Sequence, residues 1–127
     1  MSRGVILFGH GSRDPLWRRP MDAVAARLAA RDASLLVRCA FLELMAPDLP
    51  AAAAELASLG AGQVSIVPLF LGVGRHARED LPALVEQLRS DLPGVAWTLQ
   101  PAVGEDPRLL DLLADLALGG ANRLESA

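Results

Sequence analysis

Four short apolar runs, each followed by a segment of helical periodicity, restrict the fold of this chain more than any other feature. The runs predict strands over residues 5–8, 34–42, 63–70 and 95–99. Continuous apolar runs of this length are typical of strands that are buried on both faces of a sheet. Because such strands alternate with helices, the sequence predicts parallel βα units with right-handed crossovers, and therefore a three-layer α/β domain.

The segments after these runs carry apolar residues at helical spacing. They predict helices over residues 17–31, 47–59 and 78–92, and a last helix over residues 106–120. Asp14 and Pro15 are the predicted cap and first residue of the first helix. Pro68 would disrupt the middle of a strand, so we expect it near the end of the third one. The leucines of the last helix occupy more than one face, which indicates either a dimer surface or a buried helix, and we expect burial.

Length and composition predict one soluble domain over residues 1–120, with a frayed tail over residues 121–127. The 127 residues, just over half of them hydrophobic, suffice for one hydrophobic core. The net charge of −3 and the lack of a basic block argue against nucleic acid and membrane partners. The apolar run near Met1 is too short for a signal peptide, and the lone Cys39 predicts a buried thiol in a reducing compartment. We therefore expect a cytoplasmic protein.

Polar residues follow three of the predicted strands. The first strand runs into His10, the second ends at Glu43, and the third leads through a glycine-containing loop to His76. Ligands of open parallel sheets bind at the carboxyl ends of the strands, near the point where strand order reverses. With a strand order of 2-1-3-4, the first strand lies between the other two at a spacing of about 4.8 Å. We therefore expect His10, Glu43 and His76 to converge.

Two imidazoles and a carboxylate are plausible ligands for a borderline divalent ion such as cobalt, nickel, iron or zinc, with coordination positions left open. The residues by themselves do not select the metal. A neutral imidazole or a carboxylate that is not bound to the ion could accept a proton. Such a set of residues can therefore both hold an ion and accept a proton.

Three segments resemble the signatures of a known family. LFGHGSRDP, FLELMAPDLPAA and VPLFLGVGRHAREDLP occur in family order and are similar to segments of the sirohydrochlorin chelatases, the small class II chelatases of the CbiX and SirB type. The resemblance covers the chain up to the last helix. It implies a chelatase-like fold and a lyase that inserts cobalt, with iron or nickel as alternatives, into sirohydrochlorin for cobalamin or sirohaem. The divalent metal is then a substrate, and no organic cofactor is expected.

The same resemblance implies roles for individual residues. His10 and His76 would bind the metal and handle protons, and Glu43 would assist them. Two-lobed relatives enclose the macrocycle between their lobes, so this single lobe is expected to form a homodimer around its tetrapyrrole. The simpler alternatives are that His10 is a loop histidine bonded to the backbone and that Glu43 caps a helix or faces solvent.

Four further residues are candidates for substrate binding. Sirohydrochlorin carries many peripheral carboxylates, and Arg13, Arg75 and Arg78 follow directly from the predicted metal loops. Solvation at the surface is the alternative for these arginines. Ser12 suits either a hydrogen bond to a carboxylate or a local capping role.

Two other functions compete with chelation. A carrier would bind a metal ion or a metallotetrapyrrole without increasing the rate of insertion. A phosphatase or a hydrolase using His10 would be expected to show an Arg-His-Gly segment or a Gly-x-Ser-x-Gly elbow, and the sequence contains neither. The carrier therefore remains the main alternative.

Overall fold

The core of the molecule is a four-stranded, fully parallel sheet, seen in a computed structural model that describes residues 1–119. The strands are β1 Ser2–Gly9, β2 Leu36–Phe41, β3 Ala61–Pro68 and β4 Ala96–Leu99. Their order is β2-β1-β3-β4, which confirms the predicted fold class and strand order. Pro68 is the last residue of β3, where its missing N–H does least harm to the sheet. The predicted frayed tail lies outside the described residues.

Helices follow the strands in the predicted alternation. They are α1 Arg19–Arg31, α2 Leu49–Ser58, α3 Arg75–Asp91 and α4 Pro107–Ala117, with short 3-10 turns at Pro15–Arg18 and Val103–Glu105. None of the helices within residues 1–119 is both long enough and apolar enough to span a bilayer.

The observed helix starts correct the predicted ones. Asp14 and Pro15 cap and open the first 3-10 turn, and the α-helical part of that segment begins only at Arg19. The second helix begins at Leu49, because Asp48 is its cap and accepts a hydrogen bond from the Ala51 N–H at 2.9 Å. The third helix begins three residues earlier than predicted, because its first turn is charged and carries no apolar periodicity.

Two hydrophobic clusters occupy the two faces of the sheet. On one face α2 and α3 pack against β1, β3 and β4, with Ile6, Ile66 and Trp97 among the buried residues. On the other face α1 packs against β1 and β2, where Cys39 and Met21 are buried. Burial raises the pKa of the Cys39 thiol, and the nearby Asp22 carboxylate raises it further. The predicted buried thiol is confirmed.

The last helix departs from the expectation of burial. No residue of α4 is buried, and four leucines at or next to it are between 46% and 63% exposed. These are Leu110, Leu112, Leu116 and Leu118. The expectation was wrong because apolar periodicity identifies the faces of a helix without identifying what covers them.

Candidate functional site

Backbone contacts join the loops that follow β1 and β2. The Leu42 N–H donates to the Gly9 carbonyl at 2.9 Å, and the Glu43 N–H donates to the His10 carbonyl at 3.0 Å. Gly11 has a φ of +95°, and a Cβ on it would lie 1.8 Å from the Glu43 carbonyl oxygen. Only glycine fits this approach. The structure therefore brings the backbones of His10 and Glu43 together at the carboxyl edge of the sheet.

An aromatic contact positions the His10 side chain. Its ring lies 4.3 Å, centroid to centroid, from the ring of Phe70, at an angle of 32°. Phe70 is buried and contacts Phe8 edge to face, so it is part of the core. The Leu69 N–H donates to the Phe8 carbonyl at 2.8 Å and fixes the end of β3 beside β1. His10 is therefore an exposed imidazole held against a rigid aromatic ring.

His76 lies in the first turn of α3 and is exposed. Gly74 is the cap of this helix and provides no side-chain hydrogen bond. The N–H groups at the start of a helix lack internal partners and carry partial positive charge, which favours bound anions. This end of α3 is thus suited to a carboxylate-bearing ligand next to His76.

The four predicted substrate-binding residues are close to these two histidines in the sequence. Arg75 pairs with Glu79 at 3.3 Å on the exposed surface of α3. Arg13 and Arg78 are exposed, and neither forms an ion pair within residues 1–119. The Ser12 hydroxyl accepts a hydrogen bond from the Asp14 N–H at 3.0 Å, which is a local turn contact. Arg13 and Arg78 are accordingly available for anions, whereas Arg75 is paired with Glu79 and Ser12 is engaged in its own loop.

No complete metal cage exists in the described part of the chain. Residues 1–119 contain no group of three or more His, Cys, Asp and Glu side chains arranged to hold a metal ion. The structure therefore does not bring His10, Glu43 and His76 into one closed ligand set.

Exposed apolar residues at the same edge were missed by the sequence analysis. Leu42 and Leu44 follow β2, and Leu71 follows β3; all three are exposed. Leu44 also adopts a φ of +67°, a conformation that costs an ordinary residue about 1–2 kcal/mol. The signal was the placement of leucines directly after strand ends, but the prediction extended the second strand to residue 42.

A cleft opens beside this edge, between the start of α2 and the middle of α3. Its volume is about 570 Å³, within the range of small-molecule sites. It is lined by Phe8, Phe41, Leu42, Asp48, Leu49, Pro50, Asp80, Ala83, Leu84 and Gln87. Neither histidine and none of the three arginines is among the residues that line this cleft.

A family model described as CbiX matches residues 4–118. The chain belongs to the CbiX family. The sirohydrochlorin cobaltochelatase of Methanococcoides burtonii is 30% identical over 123 residues, which cover 91% of this chain and 94% of the relative. The sirohydrochlorin cobaltochelatase of Methanosarcina acetivorans is 32% identical over 82 residues, which are 65% of this chain and 63% of the relative.

Solved structures agree with this membership. A cobalamin biosynthesis CbiX protein from Marinobacter aquaeolei superimposes with a TM-score of 0.80 at 31% identity, covering 95% of this chain and 98% of that one. The sirohydrochlorin chelatase SirB from Bacillus subtilis subspecies spizizenii, in complex with cobalt, gives a TM-score of 0.72 at 25% identity and covers 84% of this chain. This chain spans only 45% of the SirB chain.

Proposed function

We propose that this CbiX family member is a chelatase that inserts a divalent metal ion into sirohydrochlorin, with cobalt as the first candidate and iron or nickel as alternatives. The product would enter cobalamin or sirohaem synthesis. One observation carries the proposal: both histidines of the chain follow the two central strands at the carboxyl edge, where His10 rests on Phe70. The cobaltochelatase names of the relatives support the choice of metal.

In this proposal His10 and His76 hold the incoming ion through imidazole nitrogens. As the ion enters the macrocycle, two pyrrole N–H bonds break and four metal–nitrogen bonds form, so two protons must leave. Glu43 or an unligated imidazole accepts these protons and passes them to water. Weak, incomplete coordination by the protein favours transfer, because the four nitrogens of the macrocycle then bind the ion more tightly than the imidazoles do.

The surroundings of the histidines suit both parts of the substrate. The exposed leucines at positions 42, 44 and 71 offer apolar contact to a flat macrocycle. Arg13, Arg75 and Arg78, together with the N-terminus of α3, offer partners for peripheral carboxylates. We expect Arg13 and Arg78 to contribute most, because Arg75 already pairs with Glu79.

The proposal also covers the domain organisation, the location and the partners of the protein. We propose that residues 1–120 act as one domain, in the cytoplasm, as a homodimer that encloses the tetrapyrrole. Nucleic acid and membranes are not expected as partners of a chain with a net charge of −3 and no basic block. The metal is a substrate in this scheme, and no organic cofactor takes part.

The test is metal insertion followed by absorbance, with purified protein, sirohydrochlorin and Co²⁺, Fe²⁺ or Ni²⁺ in parallel. His10→Ala and His76→Ala should each lower the rate by about 100-fold or more, the scale of losing a metal ligand or a general base. Both side chains are exposed, so the unfolding temperature should stay close to that of the wild type.

Arg31→Ala, at the exposed end of α1, is the control and should retain the wild-type rate. Full activity in both histidine variants would refute the assigned roles. Stoichiometric binding of metal or pigment with no gain in insertion rate would identify a carrier instead.

A further inference from the structure

Trp17 differs from the other aromatic residues of the chain in its exposure. Phe8, Phe41, Phe70 and Trp97 are at most 4% exposed, whereas Trp17 is 40% exposed. Aromatic side chains bury large apolar areas, so leaving this much of an indole in water gives up stabilisation of the fold. Aromatic side chains also form much of the lining of small-molecule sites, which makes an exposed indole a candidate for contact with a ligand.

The contacts of the indole place it at the carboxyl edge of the sheet. Gly9 and Phe41 are paired residues at the ends of β1 and β2. A Cβ on Gly9 would lie 3.2 Å from the Trp17 ring, and the rings of Trp17 and Phe41 are 6.2 Å apart, centroid to centroid, at an angle of 61°. His10 follows Gly9 directly, and Glu43 comes two residues after Phe41. The indole therefore adjoins both loops that carry the proposed insertion residues.

The support beneath the indole is firmly held. The Arg18 guanidinium lies 4.7 Å from the centroid of the Phe41 ring, and Asp22 fixes this guanidinium through hydrogen bonds of 3.1 and 3.2 Å. The backbone N–H of Trp17 donates to the Asp14 carbonyl at 3.0 Å. These contacts hold the ring in place and leave its outer part open. A preorganised side chain loses little conformational entropy when it binds a ligand.

The indole N–H of Trp17 is available as a hydrogen-bond donor. The buried Trp97 indole donates to the Leu92 carbonyl at 3.1 Å, whereas no hydrogen bond within residues 1–119 engages the Trp17 indole. An ionised carboxylate is a strong acceptor for such a donor. Trp17 thus offers an apolar ring and one donor, which suits a flat ligand with carboxylates at its periphery.

Trp17 and His10 lie on opposite sides of the sheet edge. Val5 and Leu7 face the cluster beneath α1, and Gly9, at the same spacing along β1, faces that side as well. The His10 ring instead rests on Phe70, which belongs to the cluster beneath α2 and α3. A tetrapyrrole is wider than the strand spacing of about 4.8 Å. A macrocycle that rests on these loops therefore extends beyond them, and Trp17 flanks it on the α1 side.

We propose that Trp17 is a substrate-binding residue, whose exposed ring packs against the sirohydrochlorin macrocycle and whose indole N–H donates to a peripheral carboxylate. The inference rests on the proposed function, because sirohydrochlorin is the ligand. Trp17 does not touch the metal in this arrangement, so it contributes to the affinity for the pigment and leaves the transfer of the ion to the histidines.

The first test is NMR of the two indole N–H groups of the full chain, titrated with metal-free sirohydrochlorin. The chain contains two tryptophans, so Trp17→Phe assigns both signals. The Trp17 signal should shift as the pigment binds, and the signal of the buried Trp97 should stay in place as an internal control. A Trp17 signal that does not move at saturating pigment overturns the inference.

The second test compares two substitutions of Trp17. Trp17→Phe keeps a ring on Gly9 and loses the donor, and it should raise the dissociation constant for sirohydrochlorin by about 5-fold. Trp17→Leu loses both and should raise it by about 30-fold. Leu59→Ala, at the end of α2, is the control, because Leu59 is 50% exposed and should leave the affinity unchanged.

The rate of metal insertion separates binding from structural support. At saturating pigment both Trp17 variants should keep kcat within about twofold, because the contact is made equally before and during insertion. A fall in kcat at unchanged affinity would make Trp17 a mere support of the His10 loop and overturn the inference. Insertion by a wild type whose affinity neither variant alters would also overturn it, with the proposed function intact. A wild type that binds the pigment through Trp17 and inserts no metal would uphold the inference and refute the proposed function.

Discussion

Helices α3 and α4 each follow a strand and each carry leucines at helical spacing, but their environments differ. Helix α3 buries Ala77, Leu81, Val85 and Leu88 along one stripe, whereas α4 buries no residue. Helix α3 is also fixed at its end, because Arg89 donates to the Trp97 carbonyl at 2.9 Å and the Trp97 indole donates to the Leu92 carbonyl at 3.1 Å. The contrast shows that burial is decided by a neighbouring layer rather than by leucine content.

The two helices also differ in their relation to the proposed site. The packed stripe of α3 holds its first turn, and so His76, in a defined place at the carboxyl edge of the sheet. A chelating side chain benefits from such rigidity because binding then costs less conformational entropy. Helix α4 carries none of the proposed insertion residues, and Leu110, Leu112 and Leu116 are exposed on it.

The largest expected effect is on the free energy of unfolding, when a leucine is replaced by alanine in one helix or in the other. Leu88→Ala should lower the free energy of unfolding by about 2–5 kcal/mol, because Leu88 is 4% exposed and a cavity would remain. Leu112→Ala should change it by less than about 0.5 kcal/mol at concentrations where the chain is monomeric. Urea denaturation measures both. Equal losses would mean that α4 is packed as firmly as α3.

A second matched pair uses the prolines of the two helices. Pro82 lies inside α3, where it lacks the N–H that would bond the carbonyl of Arg78, whereas Pro107 is the first residue of α4. Pro82→Ala should raise the free energy of unfolding by about 1 kcal/mol, because the restored helical bond outweighs the greater freedom of the unfolded chain. Pro107→Ala should bring no gain. Thermal unfolding measures the stability of both variants. A larger gain from Pro107→Ala than from Pro82→Ala would contradict the prediction.

The smallest effect is a difference in acid sensitivity between the two helix starts. The Arg108 guanidinium and the Arg108 N–H lower the pKa of Asp106, the cap of α4, to about 2. A lowered pKa stabilises the folded state above the ordinary value of 3.8, and this stabilisation is lost as the pH falls through about 2. The cap of α3 is Gly74, which has no side chain to titrate.

Carboxyl titration by NMR should therefore give Asp106 a pKa near 2, and the amide of Arg108 should lose protection only below about pH 4, while the first amides of α3 show no matching step. Arg108→Ala should move the Asp106 pKa back towards its ordinary value. An unshifted Asp106 in the wild type would contradict the pairing that caps α4.

Sequence patterns anticipated the framework of the molecule. The four apolar runs, the helices between them and the cap Asp14 are local features, and the strand order 2-1-3-4 is now confirmed. The family membership suggested by three motifs is confirmed as well. The roles of His10, Glu43 and His76 stay predictions. The start of α3 was misplaced because Arg75 and His76 interrupt the apolar pattern that marks a helix.

The sequence by itself determined which residues are apolar, how they repeat, and which polar residues follow strand ends. Only the tertiary structure decided that His10 rests on Phe70, that Leu42 and Leu71 stay exposed at the edge, and that nothing within residues 1–119 buries a residue of α4. The physical reason is that periodicity depends on a few neighbouring residues. Burial depends on whether a segment distant in sequence packs on the same face, and no local pattern records that.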